Sequence, residues 1–153
     1  MRISAKTDYA LRAAIELASL NTSDPVKGEA LATAQGIPLR FLENILGDLR
    51  NGGIVESRRG VEGGYLLAKP AEAITLADVI RAVDGPLANV AGTRPNLLVY
   101  EGSTEKLRDI WVGVRAALRS VLEETTLADM AAKKLPPHVQ KLVADRDAWE
   151  VRI

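Results

Sequence analysis

The chain has 153 residues, of which 47% are hydrophobic and only 4% aromatic, so we expect a mainly helical protein whose core consists of Leu, Ile, Val and Ala. Twenty Lys and Arg residues balance twenty Asp and Glu residues, so net charge predicts no class of partner. The absence of cysteine excludes disulfides, thiolate metal sites and a cysteine nucleophile.

Two further patterns are missing from the sequence. No apolar run reaches the roughly 18 residues of a membrane span, and Met1 leads into a polar, helix-like segment instead of a signal peptide. We therefore expect a cytoplasmic protein with no membrane partner. The single histidine, His138, has no second histidine or cysteine to complete a metal site or a catalytic triad, and the sequence does not support an enzyme.

Two short helices joined by a glycine turn form the most informative stretch. Residues 3–20 have the apolar spacing of a first helix, and the turn cluster of residues 21–25 ends it. Residues 27–35 and 38–50 predict two more helices, because Gly36 suits the positive φ of a helix C-terminus and Pro38 suits a first helical turn. Such a pair is typical of a helix-turn-helix.

The second helix of this pair has two faces of opposite character. Its inward positions are Leu42, Leu46 and Leu49. Its outward positions follow a spacing of three and four residues, and they are Arg40, Glu43, Asn44 and Gly47. We interpret the polar face as a candidate reader of DNA bases.

A glycine-rich hairpin follows. Residues 54–57 and 65–68 predict two short strands, and the glycines between them permit the sharp turns of a hairpin tip. Arg58 and Arg59 lie at this tip, where they can meet phosphates or enter a minor groove. The predicted fold class is thus mainly α with a small β-hairpin wing, a winged helix-turn-helix.

The pattern of the remaining chain predicts further helices, one of which we interpret as a dimerisation helix. Thr75 is a good N-cap for a helix over residues 76–84, with Asp78 as its capping partner, and residues 86–102 are irregular. Ser103 is predicted to cap a long helix that ends near residue 125. The apolar stripe of this helix exceeds what a small core needs, so we interpret it as a dimerisation surface; the alternative is that the helix folds back on the first helix. The stripe comprises Leu107, Trp111, Val114, Leu118 and Val121, followed by Leu122.

Four regions follow from these patterns. We expect a DNA-binding domain over residues 1–85, a loop over 86–102, the dimerisation helix and a short C-terminal helix over 103–130, and a tail over 131–153 that is either helical or loose.

Several segments together resemble one known family. MRISAKTDYALRA, the run QGIPLRFLENILGDLRNGGIVESRRGVEGGYLLAK, ITLADVIRAVDG, and the pair LRDIW and TTLADM are similar to the Rrf-two (Rrf2) family of bacterial winged-helix transcription regulators. The resemblance extends from Met1 to Met130. It implies a homodimer with recognition helices in successive major grooves of a palindromic operator and wings in the flanking minor grooves. By the same resemblance, base contacts fall on Arg40, Glu43 and Asn44, and wing contacts on Ser57 and Arg59.

The sequence departs from the family pattern in two places. Glu62 adds a negative charge to a wing that often reads RGPGGGY. Family members that hold an iron-sulfur cluster have three cysteines in the span that is here residues 85–105, and this span has none. Asp8 matches a carboxylate ligand of some members, but a carboxylate without thiolates cannot hold iron and sulfide. We therefore expect no cofactor, and control by a small-molecule effector or a regulatory protein.

The sequence is compatible with two functional hypotheses. The first is a dimeric regulator, expected to be a repressor, that binds a specific sequence of double-stranded DNA. The second is a winged-helix protein-interaction module without base-specific binding, which the neutral net charge and Glu62 favour.

Overall fold

The structure is a computed structural model that describes residues 2–153. It is mainly helical, with one two-stranded hairpin, which confirms the predicted fold class. In chain order, the elements are α1 (Ala5–Leu20), α2 (Gly28–Gln35), α3 (Leu39–Asn51), β1 (Val55–Arg58), β2 (Gly64–Leu67), α4 (Leu76–Asp84), α5 (Leu107–Leu122), α6 (Leu127–Ala131) and α7 (Pro137–Ala144). Among residues 2–153, no helix combines the length and the apolar character needed to cross a membrane.

One aliphatic core supports the first half of the chain. Helix α1 lies at its centre and packs against α2, α3, α4 and α6. The small residues of α1, such as Ala10, Ala13 and Ala14, are fully buried, so the neighbouring helices approach its backbone closely. Leu20, the last residue of the helix, is 47% exposed.

Helix α6 returns the chain to this core from far along the sequence. Leu127 is fully buried there, and Thr126 forms an antiparallel bridge with Thr75 at the start of α4. Both helix starts have the sequence TLAD, and both form a capping box in which the threonine hydroxyl accepts from the aspartate backbone amide and the aspartate carboxylate accepts from the threonine backbone amide. The cap predicted at Thr75 and Asp78 is confirmed. The predicted regions place the short C-terminal helix with the long one, whereas α6 packs on α1 in the core formed by the first half of the chain.

The long helix differs most from its sequence prediction. It begins at Leu107 and ends at Leu122, whereas the sequence predicts residues 103–125. Ser103 is not its cap, because Gly102–Thr104 forms a separate 3-10 turn in which the Thr104 hydroxyl donates to the Glu101 carbonyl at 2.9 Å. The helix packs chiefly against the 3-10 turn Pro95–Leu97 and α4, so the predicted alternative in which it folds back on α1 is not the observed arrangement.

The tail is helical in part. Helix α7 begins at Pro137, with Pro136 as its N-cap, and a 3-10 turn at Arg146–Trp149 follows it. Val139 docks α7, and His138 Nε2 lies 3.3 Å from the Ser120 hydroxyl on α5.

Candidate nucleic-acid interface

The turn between α2 and α3 sets the direction of α3 relative to α2. Helix α3 carries the candidate base-reading residues and is called the reading helix below. Gly36 has φ +62°, a left-handed conformation that an L side chain adopts only with strain, and the Ile37 amide donates to the Ala32 carbonyl at 2.9 Å across the turn. Ala32 itself is almost completely buried between the two helices. The predicted helix-turn-helix geometry is therefore present.

Helix α3 is amphipathic in the predicted way. Four aliphatic side chains on its inner face are fully buried, namely Leu42, Ile45, Leu46 and Leu49. Arg40, Glu43 and Asn44 are exposed on the opposite side. We call these three residues the reader face. Because the inner face anchors the helix in the core, the reader face can enter a groove without any cost in core packing.

An ion pair and an aromatic pair hold the reading helix to α1. Lys6 Nζ lies 2.7 Å from an Asp48 carboxylate oxygen, and the same ammonium donates to the Val83 carbonyl at 3.0 Å. The rings of Tyr9 and Phe41 meet edge to face with centroids 5.6 Å apart. Phe41, which the apolar and polar spacing of α3 did not single out, is nevertheless 38% exposed next to the reader face.

The hairpin forms the wing, shifted by one residue from its predicted strands. Residues 55–58 pair with residues 64–67, so that Ser57 lies opposite Tyr65 and Arg58 opposite Gly64. A short segment at Val26 extends the pairing, because Val26 and Tyr65 exchange backbone hydrogen bonds of 2.9 and 2.8 Å. The reading motif and the wing are thereby connected through the backbone.

The two wing arginines have different surroundings. Both are exposed, as is Ser57. Arg58 Nη2 lies 3.4 Å from the Glu56 carboxylate, whereas Arg59 has no ion pair among residues 2–153. Glu62 is also exposed on the turn. Arg59 is therefore the wing cation with the least competition from a carboxylate.

One contact of the wing could not be predicted from the sequence pattern. Lys27 at the N-cap of α2 donates from Nζ to the Val61 carbonyl at 2.6 Å and approaches that of Gly60 at 3.5 Å. This bond joins positions more than thirty residues apart and uses main-chain acceptors, which carry no residue signature. Lys27 thus positions the wing tip (residues 59–63) relative to the helix-turn-helix.

Comparisons with known proteins agree with this geometry. A family model described as Rrf2, iron-dependent transcriptional regulator, matches residues 3–133. A provisionally named HTH-type transcriptional regulator of Mycobacterium tuberculosis H37Rv is 51% identical over 150 residues, which cover 98% of this chain and 93% of that protein. The HTH-type transcriptional regulator CymR of Bacillus subtilis is 36% identical over 132 residues, 86% of this chain and 91% of that protein.

Solved structures give the same result. CymR, described as the global cysteine regulator of B. subtilis, aligns with a TM-score of 0.74 at 34% identity, covering 88% of this chain and 98% of that one. The T. potens IscR structure aligns with a TM-score of 0.70 at 28% identity, covering 100% of this chain and 94% of that one. The names of these relatives describe regulators, and none of them describes an enzyme.

The iron that the family description mentions does not fit the donors of this chain. The sequence has no cysteine and one histidine. Within residues 2–153, no three His, Asp or Glu side chains are grouped so that they could hold a metal ion. Asp8 instead pairs with Arg12 one helical turn later, at 3.3 Å. Neither an iron ion nor an iron-sulfur cluster has a suitable ligand set here.

Proposed function

The chain belongs to the Rrf2 family of transcriptional regulators, and we propose that it acts in the cytoplasm as a homodimeric repressor that binds a palindromic DNA operator. The observation that carries this proposal is the reader face of α3, which is exposed and polar while four aliphatic residues anchor the opposite side of the helix. Arg40 carries the paired donors that recognise guanine, Asn44 carries the donor and acceptor that recognise adenine, and Glu43 can accept from cytosine N4. Ser57, Arg58 and Arg59 are proposed wing contacts.

One feature of α5 supports the dimer. None of its 16 residues, all of which lie in the described part of the chain, is buried in a single protomer. A partner helix against Leu107, Trp111, Val114, Leu118 and Val121 would bury the stripe. Binding to successive major grooves would require this dimer to place its two α3 helices about 34 Å apart, one turn of DNA.

The test is selection of duplexes from a random pool, followed by fluorescence anisotropy with the selected sequence. We expect an inverted repeat, nanomolar binding and a steep loss of affinity with salt. A pool without a consensus, or equal affinity for random duplex, would contradict base-specific reading and favour the protein-interaction module. Repression is tested by transcription in vitro from a promoter that contains the selected repeat.

Arg59→Ala tests the wing directly. Because a guanidinium that meets a phosphate displaces a condensed counterion, we expect weaker binding and a log-log salt slope smaller by about one unit for each protomer wing on the duplex. Arg108→Ala is the matched control, since Arg108 is an exposed arginine at the start of α5, away from the wing. If the two variants lose affinity equally, the effect is one of net charge and not of wing contact.

A further inference from the structure

A cleft lies where α5 meets α4 and the loop that follows α4. Its volume is about 500 Å³, in the range of small-molecule sites. Arg115 and Arg119 of α5 and its C-cap Glu123, at intervals of four residues, line the cleft together with side chains from α4 and the loop. The polar groups of the cleft are Arg81, Arg94, Asn96, Arg115, Arg119 and Glu123.

The cleft has a large excess of positive charge. Four arginines line it against one glutamate. Glu123 is already shared, because it accepts from Arg81 on α4 and from Arg119 on α5, the latter at 2.9 Å. These two ion pairs neutralise part of the positive charge. The other two arginines, Arg94 and Arg115, have no carboxylate partner in the described part of the chain.

Those two arginines reach the cleft from different elements, Arg94 from the loop after α4 and Arg115 from α5. Arg115 Nη1 donates to the Asn96 side-chain carbonyl at 2.8 Å, a neutral acceptor that leaves its charge uncompensated. Arg94 has neither an ion pair nor a side-chain hydrogen bond among residues 2–153. Since guanidinium groups bind carboxylate and phosphate through paired N–H donors, two uncompensated guanidiniums at one cleft are suited to an anion.

The loop that presents Arg94 is held in an unusual conformation. Ala88 and Ala91 have φ of +55° and +49°, values that residues with a Cβ rarely adopt. Reciprocal backbone hydrogen bonds of 3.0 and 2.9 Å between Val90 and Thr93 stabilise this turn directly before Arg94. Strain of this kind persists only where the surrounding structure imposes it, and it is concentrated at ligand sites and switches.

We propose that this cleft binds a small dianion bearing carboxylate or phosphate groups, with Arg94 and Arg115 as its principal ligands. The volume limits the ligand to metabolite size. The proposal rests on the proposed function in one respect: α4 belongs to the core that supports the reading helix, and α5 is the proposed dimer helix, so a ligand between them is placed to change the separation of the two readers. Occupancy of the cleft then alters operator affinity, and operator binding alters ligand affinity by the same factor.

Binding is tested on DNA-free protein by isothermal titration calorimetry in a buffer without polyvalent anions. The probes are succinate, inorganic phosphate and acetate; succinate and phosphate distinguish the two possible sources of dianion, and acetate represents a single charge. We expect at least one dianion to bind more tightly than acetate, and Arg94→Gln and Arg115→Gln each to weaken it about tenfold or more. Arg115→Lys should retain part of the affinity, because it keeps the charge and loses the fork.

Two controls locate the site. Arg108→Gln, outside the cleft, and Arg59→Ala, on the wing, should both bind the dianion as the parent protein does. Dianions that bind no better than acetate, or Arg94→Gln and Arg115→Gln variants with the parent affinity, would overturn the proposal.

The regulatory step is measured by operator anisotropy with and without the dianion at matched ionic strength. Parent protein should change its operator affinity on saturation, whereas Arg94→Gln should bind the operator normally and not respond. Because the variant keeps DNA binding, failure of the effector site is distinguishable from failure of the regulator function. An operator affinity that is unchanged when the cleft is saturated would overturn the regulatory role.

Discussion

The three side chains of the reader face have unequal chemical roles. In the proposed DNA complex, Arg40 would only donate to a purine edge, Asn44 would both donate and accept, and Glu43 at neutral pH would only accept, so that Glu43 would select a base that presents a donor in the major groove. Its carboxylate also repels phosphates and acceptor edges. Glu43 is therefore expected to contribute discrimination more than affinity.

Glu43→Gln tests this role. The amide keeps the size of the side chain but adds a donor, so we expect the preference at one base pair of each half-site to relax by about 1–3 kcal/mol while binding to that site persists. The measurement is a titration of single-base variants of the selected operator. Glu105→Gln, an exposed change before α5, is the control. A preference profile identical to that of the parent would show that Glu43 does not contact a base.

At this scale the sequence predicts much of the site. Arg40, Glu43 and Asn44 are exposed as predicted because a spacing of three and four residues specifies one face of any helix. The contact of Lys27 with the wing tip could not be predicted, because its acceptors are main-chain carbonyls whose position depends on the hairpin fold. The pairing of Arg58 with Glu56 follows from side-chain conformations, which periodicity does not determine.

Among the elements, the wing depends on a close backbone approach at Gly64. A Cβ added there would lie 2.5 Å from the Val26 carbonyl oxygen, within the bridge that connects the hairpin to the helix-turn-helix. Gly47, in contrast, has open space around its Cβ position in the middle of α3. The two glycines therefore have opposite roles.

Alanine substitutions at these two positions should differ in sign. Gly64→Ala forces the bridge apart and should lower the free energy of unfolding by about 1–3 kcal/mol. Gly47→Ala should raise it by about 0.5–1 kcal/mol, because glycine in a helix interior loses more conformational entropy on folding. Urea denaturation monitored by circular dichroism measures both. Equal effects of the two changes would contradict the close approach at Gly64.

The junction of α4 and α5 is sensitive to pH through Glu123. Hydrogen bonds from Arg81 and from Arg119 lower the pKa of its carboxyl below the ordinary value of 4.5. A carboxyl whose pKa is lower in the folded state contributes stability that is fully present above pH 4.5 and is lost as the pH falls through the folded pKa. The junction should therefore weaken only in acid.

Glu123→Gln removes this dependence. We expect the difference in unfolding free energy between parent and variant to be largest near pH 7 and to shrink below pH 4.5, in urea titrations at a series of pH values. Glu124→Gln is the control, since Glu124 is an exposed neighbour without an ion pair in the described part of the chain. A parent–variant difference that does not change with pH would contradict the ion pair with the two arginines.

The sequence prediction of the elements is most accurate where capping signals are local. The box at Thr75 and Asp78 is present, but the cap at Ser103 is not, because Gly102 takes φ +59° and turns the chain into a separate 3-10 turn. Ser103 matches the N-cap preference by residue type alone. The direction of the chain before it decides whether a helix can start there.

For the whole molecule, the proposed dimer depends on the stripe of α5. Val114→Glu places a carboxylate in the middle of that stripe, where burial against a partner would strongly disfavour it. We expect the parent to elute at twice the 16.5 kDa mass of one chain in size-exclusion chromatography with light scattering, and the variant to shift to the monomer mass. Ala116→Glu, on the opposite and exposed side of α5, should remain dimeric. A monomeric parent at micromolar concentration would contradict the dimer.

Because α6 packs back on the core, the core that supports α3 is completed late during synthesis of the chain. Leu127 fills a core that otherwise consists of elements before residue 85, so contacts across more than a hundred residues close it. A nascent chain that has been synthesised only as far as α4 lacks α6 and its Leu127. At a synthesis rate of about 5–20 residues per second, α6 follows several seconds later. The support of α3 is therefore complete only after α5 has also been made, and we expect an unfinished chain to lack the supported helix that the proposed operator binding requires.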